Sequence, residues 1–243
     1  MKTSSCAVCD SQTWLDFGRK NGFDLKKCSD CELVFVHPTP STDELAKFYY
    51  RYHKTHQYTA KLNSKIRRAR RRIRRMAGSR IGGSFLDVGC NAGFAVAAAH
   101  TLGFSATGID IDAAAIAEAQ KNFPDANFEC AGVEEFARGE TYDFIYCSEV
   151  IEHLPSLEGF LTEVRSLMHK DSLLLLTTPD LGHPSLRWPM RRTPIIEWDS
   201  IRPPEHLFYF NKQNLKKILN QHGFSRIKCA LNTKPTIRAL VQL

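Results

Sequence analysis

Residues Phe85-Leu86-Asp87-Val88-Gly89-Cys90-Asn91-Ala92-Gly93 constrain the fold of this chain more than any other stretch. Ser84 to Val88 reads as a short buried strand and Ala92 to Leu102 as a helix, joined by a tight glycine-containing turn. Gly89 has no Cβ, so its backbone can turn sharply and approach a ligand closely. Gly93 removes bulk where the helix begins, which leaves the unpaired N–H groups of the helix N-terminus facing that ligand. Asn91 and Phe94 stand where a G-x-G-x-x-G fingerprint would require glycine, which argues against a dinucleotide site.

A second acid follows at the distance expected of a ribose-binding carboxylate. Phe104-Ser-Ala-Thr-Gly108-Ile109-Asp110 reads as the next strand, and its terminal acid lies about 20 residues beyond the glycine turn. A carboxylate there can accept hydrogen bonds from both vicinal hydroxyls. Asp112, ahead of Ala113-Ala-Ala-Ile-Ala, reads as a helix N-cap. From Gly83 onward strand and helix patterns alternate, the mark of a parallel, doubly wound sheet. Strands fall near 84–88, 105–110, 126–130, 142–147 and 171–177, with helices near 92–102, 112–121, 155–169 and 211–222. Segments 224–230 and 235–242 form a terminal strand pair.

Asp87-x-Gly89-x-x-x-Gly93, Gly108-Ile-Asp110, Tyr142-Asp-Phe-Ile-Tyr-Cys-Ser-Glu149-Val-Ile-Glu-His153 and Pro204-Glu-His206-Leu-Phe-Tyr-Phe210 occur in an order that resembles the class I S-adenosylmethionine-dependent methyltransferases. The resemblance covers roughly residues 80 to 230 by element order. It implies a mostly parallel seven-stranded α/β sheet of Rossmann-like type that binds S-adenosyl-L-methionine. By the same resemblance, Asp87, Gly89, Asn91 and Gly93 lie near the methionine portion and Asp110 on the ribose. Ile111, Val133, Glu134 and Cys147 complete the cofactor-binding set, although Val133 occupies a position where an acid is common. If the acceptor is a hydroxyl, a general base assists; His153 and His206 are the leading catalytic candidates, with Glu149 and Glu205 beside them.

Ahead of this core, Cys6-x2-Cys9 and Cys28-x2-Cys31 are separated by 18 residues, a spacing suited to one tetrahedral zinc ion. Four thiolates leave no open coordination position, so such a zinc is structural. Thr13 to Phe17 and Leu33 to Val36 read as short strands of a zinc ribbon. About 35 residues cannot bury enough core to fold alone, which ties the ribbon's folding to the ion. Some methyltransferases of this family carry a similar cysteine-rich module. The four remaining cysteines lie in or beside apolar strands, and their thiols are assigned no chemistry.

The organisation expected is therefore a ribbon over 1–37, a helical arginine-rich connection over 38–80, and a methyltransferase domain over 81–243 with an insertion near 179–204. Ser41 and Glu44 are spaced as a capping box. Tyr49, Tyr50 and Tyr58 fall where a family segment closes over the cofactor. Arg67 to Arg75 holds seven arginines in nine residues and largely accounts for the formal net charge of +7. On a helix, Leu62, Ile66, Ala69 or Arg70, Ile73 and Ala77 share one face, with the arginines over the rest. That surface is either solvated or a phosphate-binding face. No apolar run is long enough to span a bilayer, and the N-terminus lacks the apolar core of a signal peptide, so a cytoplasmic protein is expected. The leading function is methylation of a small-molecule intermediate, a sugar or nucleotide-linked sugar, with Arg187, Arg191 and Arg192 suited to an anionic acceptor. A ribosomal or transfer RNA methyltransferase and a nonenzymatic zinc-ribbon binding module are the alternatives. Oligomeric state is not legible.

Overall fold

A computed structural model of the chain describes residues 5–41, 43–45, 48, 62–80, 82–136, 139–186 and 193–243. Its first unit is an antiparallel meander: β1 (Trp14–Lys20), β2 (Phe23–Cys28) and β3 (Val34–Val36). The sequence reading missed β2, whose Phe23-Asp-Leu-Lys-Lys-Cys places only Leu25 and Cys28 in the core and so lacks a strong apolar alternation. Ser41 and Glu44 form the expected reciprocal cap, with Ser41 N–H donating to Glu44 Oε2 at 2.8 Å and Glu44 N–H to Ser41 Oγ at 3.3 Å. Tyr49, Tyr50, Tyr58, Arg187, Trp188, Arg191 and Arg192 lie outside the described residues.

The arginine run folds into α1 (Leu62–Ala77). Ala69, Ile73 and Ala77 are its buried residues, so Ala69 and not Arg70 completes the apolar stripe. Then come β4 (Gly83–Val88), α2 (Phe94–His100), β5 (Phe104–Asp110), α3 (Ala113–Asn122), β6 (Asn127–Cys130), the single turn α4 (Val133–Phe136) and β7 (Tyr142–Ser148). A 3-10 turn at Ile151–His153, α5 (Glu158–Ser166) and β8 (Met168–Pro179) follow. The chain closes with β9 (Phe208–Tyr209), α6 (Lys212–Gln221), β10 (Arg226–Cys229) and β11 (Thr236–Gln242). Asp112 caps α3 as expected, accepting from Ala114 N–H at 3.0 Å.

The large sheet has the order β10-β11-β8-β7-β4-β5-β6. Strands β6, β5, β4, β7 and β8 are parallel, and β11 runs antiparallel between β8 and β10. The seven-stranded, mostly parallel Rossmann-like expectation is met. Both faces of the central strands are apolar, as parallel sheets require. On one face Ala69, Ile73 and Ala77 of α1 join Ala95, Val96 and the stacked pair Phe85 and Phe144, whose ring centroids are 5.5 Å apart. The other face buries Leu86, Ile145, Leu174 and Leu176 with Phe160 and Leu161 of α5 and Leu215 and Leu219 of α6.

The N-terminal meander is not an appendage. Strand β9 pairs with β3, matching Val34 to Tyr209 and Phe35 to Phe208, so one four-stranded sheet is built from both ends of the chain. Leu25, Leu33 and Val34 share a single core with the sheet residues above. Asn214 Nδ2 donates to the Cys31 carbonyl at 3.2 Å and Lys20 Nζ to the Ile196 carbonyl at 2.8 Å. The described part of the 179–204 insertion thus packs largely on the meander, with Ile196 against Gly18. Of its described residues Arg202 lines the main cavity, while Arg187, Arg191 and Arg192 lie outside the described residues.

Candidate active site

Strand order reverses at β4, between β5 and β7, and ligands bind outside the carboxyl ends of strands at such a point. A cavity of about 970 Å³ opens there, lined by Asp87, Gly89, Asn91 and Phe94 from the glycine turn and by Tyr146, Ser148 and Glu149 from the end of β7. Gly89 sits at φ +72°, a left-handed conformation, and a Cβ there would meet Val150 Cγ2 at 2.5 Å. Asn91 is also left-handed, at φ +48°. Its N–H donates to Asp110 Oδ2 at 2.7 Å, and Asp112 N–H donates to Asp110 Oδ1 at 2.9 Å. The carboxylate at the end of β5 is thereby pinned to the turn, and its lone pairs still allow further acceptance.

Asp87 is 3% exposed, and burial, followed by repulsion from Asp110, raises its carboxyl well above the usual range. A cationic ligand group placed against it reverses that shift. Gly93 is required by packing, since a Cβ there would meet Phe128 Cζ at 2.6 Å beneath α2. Ile111 is 76% exposed just past Asp110, and Glu134 is exposed on α4. Two side chains of the expected cofactor set point elsewhere. Val133 is buried in the core, and Cys147 is fully buried on the sheet face opposite Tyr146. Strand alternation explains the second case, because Tyr146 and Ser148 take the cavity side and Cys147 the other. Neither Val133 nor Cys147 lines the cavity.

Of the four candidate bases, Glu149 alone lines the cavity. It holds a left-handed φ of +60°, and its Oε1 accepts from Thr177 Oγ1 at 2.8 Å. His153 and His206 meet edge to face at a centroid distance of 4.6 Å. Both ring nitrogens of His206 are engaged: Nδ1 donates to the Ser200 carbonyl at 2.8 Å, and Nε2 accepts from Arg202 Nε at 3.2 Å. Burial, His153 and Arg202 push His206 down to about 2, while burial and Arg202 push His153 down to about 4. Both imidazoles are neutral at neutral pH. Glu205 is buried and paired with Arg202 at 3.3 Å.

Sequence reasoning missed Glu152, which is fully buried. Its Oε2 accepts from Thr178 Oγ1 at 2.9 Å, while Oε1 has no hydrogen-bond partner among the described residues. Burial, then Glu149, raises its carboxyl well above the usual range. Ligand atoms of Glu152, His153 and His206 lie within 4.8 Å of one another. Also missed were Tyr146, Ser148, Arg202 and Arg238 as cavity residues. The alternation at the end of β7 was the available signal for the first two; the last two arrive from distant sequence.

At the far end of the meander, the Sγ atoms of Cys6, Cys9, Cys28 and Cys31 lie within 4.8 Å of one another. Cys6 and Cys31, and Cys9 and Cys28, approach to 3.5 Å, and none forms a disulfide. Of the other cysteines, Cys90 and Cys147 are buried as expected of small hydrophobes, whereas Cys130 is exposed.

A methyltransferase domain family matches residues 55–228, most of the chain. This protein belongs to that family. Among its relatives is the ubiquinone biosynthesis O-methyltransferase of Bradyrhizobium sp. (strain ORS 278), 28% identical over 153 residues that make up 57% of this chain and 60% of that protein. The chain therefore spans about three fifths of the length of this curated relative. The PH0226 protein of Pyrococcus horikoshii OT3 has the same fold, with a TM-score of 0.61 at 16% identity over 79% of this chain and 98% of that one. So does the 1,6-didemethyltoxoflavin-N1-methyltransferase of Burkholderia thailandensis, whose structure contains S-adenosylhomocysteine; the TM-score is 0.58 at 14% identity, over 92% of this chain and 95% of that one. Among the described residues no helix is long and apolar enough to cross a membrane.

Proposed function

We propose that this chain is an S-adenosylmethionine-dependent methyltransferase that methylates an oxygen atom of a small-molecule biosynthetic intermediate. The observation that carries this reading is that Asp87, Gly89 and Asn91 line one cavity with Glu149, with Asp110 fixed beside the turn. Gly89 lines the cavity with a left-handed backbone, which suits close approach of a ligand to the main chain of the turn. Buried Asp87 suits the donor's ammonium group and Asp110 the ribose hydroxyls. The bound donor supplies an activated methyl group on a sulfonium, so the reaction asks the protein chiefly for alignment.

Glu149 is the proton acceptor in this reading. Its carboxylate takes the proton of the acceptor hydroxyl as the new O–C bond forms, and the electrons of the broken S–C bond stay on sulfur. The hydrogen bond from Thr177 and the left-handed backbone hold the carboxylate toward the cavity. His153 and His206 are positioning residues: His206 fixes the Arg202 guanidinium, and His153 packs on His206. Oxygen as the acceptor atom is favoured by the ubiquinone O-methyltransferase relatives. The sugar or nucleotide-linked sugar acceptor rests on the sequence reading alone, and no named relative adds to it.

We also assign a structural zinc ion to Cys6, Cys9, Cys28 and Cys31. Thiolates about 2.3 Å from one tetrahedral ion lie a little under 4 Å apart, close to the spacing here. An RNA methyltransferase reading is less favoured, because four of the seven arginines of the run line the same cavity as Asp87 and Glu149, and Arg72 is hydrogen-bonded to Tyr146 and Ser148 there.

Calorimetric titration of the purified protein with S-adenosylmethionine and S-adenosylhomocysteine tests the proposal. One site per chain, lost in Asp110→Ala, is the expected result. An intact, folded protein that binds neither would overturn it and return the chain to the nonenzymatic binding-module alternative.

A further inference from the structure

The cavity is far more positive than a methyl donor calls for. Among the described residues, eight cationic side chains line it against two carboxylates, Asp87 and Glu149. S-adenosylmethionine is itself a net cation, so this surplus opposes the donor and needs another explanation. Five of the eight come from α1, and their positions are patterned. Lys65, Arg68, Arg71, Arg72 and Arg75 recur at three- and four-residue steps and share one helix face, whereas Arg67, Arg70 and Arg74 fall outside the lining. The arginine run thus divides into a stripe bordering the cavity, in which Arg72 is half-buried and Arg68, Arg71 and Arg75 are exposed, and a second set facing away from it.

Two guanidinium groups are built in rather than solvated. Arg72 Nη1 donates to Tyr146 Oη at 2.9 Å and to Ser148 Oγ at 3.0 Å, which anchors the charge at the carboxyl end of β7. Arg238, from β11, is half-buried, and its Nε is buried with no hydrogen-bond partner among the described residues. Burial, Arg72 and Arg75 all lower its affinity for its proton. Like charges gathered in a partly desolvated cavity repel one another, and a bound anion relieves that repulsion.

We propose that Arg72, Arg75 and Arg238 form an anion subsite that holds the phosphate of a phosphorylated acceptor, leaving the acceptor's hydroxyl at Glu149 beside the glycine turn. The guanidinium fork matches phosphate oxygens in paired hydrogen bonds, and several such groups suit a dianion better than a single carboxylate. The surrounding positive charge also favours the ionised acceptor hydroxyl, which eases proton removal by Glu149. This assignment rests on the methyltransferase reading above and names its acceptor class.

Titration of inorganic pyrophosphate into the full-length protein saturated with S-adenosylhomocysteine tests the subsite. One pyrophosphate per chain is expected. Arg238→Met and Arg75→Met should each weaken it about tenfold to a hundredfold, as loss of a charge-assisted hydrogen bond does. Arg70→Met, on the solvent side of α1, should change it less than twofold. Affinity for S-adenosylhomocysteine should be unchanged in all three variants, and the thermal melt should not fall in any, with Arg238→Met and Arg75→Met free to raise it by relieving the repulsion. Equal weakening by Arg70→Met, or no pyrophosphate binding by a protein that binds S-adenosylhomocysteine, would overturn the subsite and leave the cofactor reading standing. Pyrophosphate binding without S-adenosylhomocysteine binding would instead sink the methyltransferase reading and the acceptor assignment with it. Binding of single-stranded RNA that is weakened by Arg70→Met and not displaced by pyrophosphate would replace the small acceptor with nucleic acid.

Discussion

Replacing Gly89 with alanine separates two costs that the turn's geometry imposes. An L-residue at φ +72° carries left-handed strain of about 1–2 kcal/mol. The added methyl also lies 2.5 Å from Val150 Cγ2, and overpacking of this kind costs about 1–3 kcal/mol. Val150 is only half-buried, so it can yield somewhat, and the total for Gly89→Ala is about 2–4 kcal/mol. Trimming Val150 to alanine removes the clash and leaves the backbone strain. In the Val150→Ala background, Gly89→Ala should therefore cost only about 1–2 kcal/mol, a coupling of about 1–2 kcal/mol between the pair. Urea unfolding of the four proteins in the cycle measures this directly. S-adenosylhomocysteine affinity should fall in both Gly89→Ala proteins, because the methyl enters a wall of the cavity. A Gly89→Ala cost below about 0.5 kcal/mol, or one equal in both backgrounds, would refute the close approach of Val150 to the turn.

Three further outcomes follow from buried groups and from the cysteine cluster. His153 and His206 titrate near 6.5 when unfolded, but burial lowers them to about 4 and about 2 in the folded chain. As pH falls below about 6.5 the unfolded state takes up protons first, so stability is full above that pH and declines toward pH 4; the slope between pH 6 and 5 should exceed that of His153→Gln by up to about 1.4 kcal/mol per pH unit. Tyr209 Oη, fully buried, donates to the His206 carbonyl at 2.8 Å; Tyr209→Phe should cost about 1 kcal/mol, seen as a melting temperature about 2–4 °C lower, and an unchanged melt would refute a net role for that bond. Chelation of zinc from the full chain should lower the main melting transition and not merely remove a small separate one, because meander and methyltransferase fold share a sheet and a core; an unaffected main transition would contradict this.

Local periodicity made most of the large sheet readable. Strands near 84–88, 105–110 and 142–147 appear as β4, β5 and β7 within one residue at each end, since each is a short apolar run closed by a turn residue or an acid. Boundaries slipped where pattern and tertiary role part company. The helix expected over 155–169 stops at Ser166, and Met168 to Ser172 enter β8 because Tyr142 pairs with Met168 across the sheet. The two-residue β9 carries no local signal at all; it is a strand only because β3 lies beside it. The site divides in the same way. Asp87, Gly89, Asn91 and Asp110 announce themselves by spacing, while Arg238 and Arg202 reach the cavity through chain topology that no local pattern records.

That topology also explains why a cysteine-rich meander belongs in a methyltransferase fold. Leu207 N–H donates to the Glu152 carbonyl at 2.7 Å, and Val36 N–H donates to the Leu207 carbonyl at 3.0 Å. Segment 207–209 is therefore held between β3 of the meander on one side and the 3-10 turn after β7 on the other. Immediately before that segment stand Arg202, at the cavity, and His206, which fixes its guanidinium. Loops ordinarily supply functional groups at the expense of rigidity. Here the loop's far end is sewn into a second sheet whose own folding is assigned to a metal site. Loss of that site should loosen Arg202 and the turn carrying Glu152 and His153 before it disturbs Asp87 or Asp110, which sit on the central parallel strands. A zinc-free protein should therefore lose order first around Arg202, with Asp87 and Asp110 keeping their places on β4 and β5.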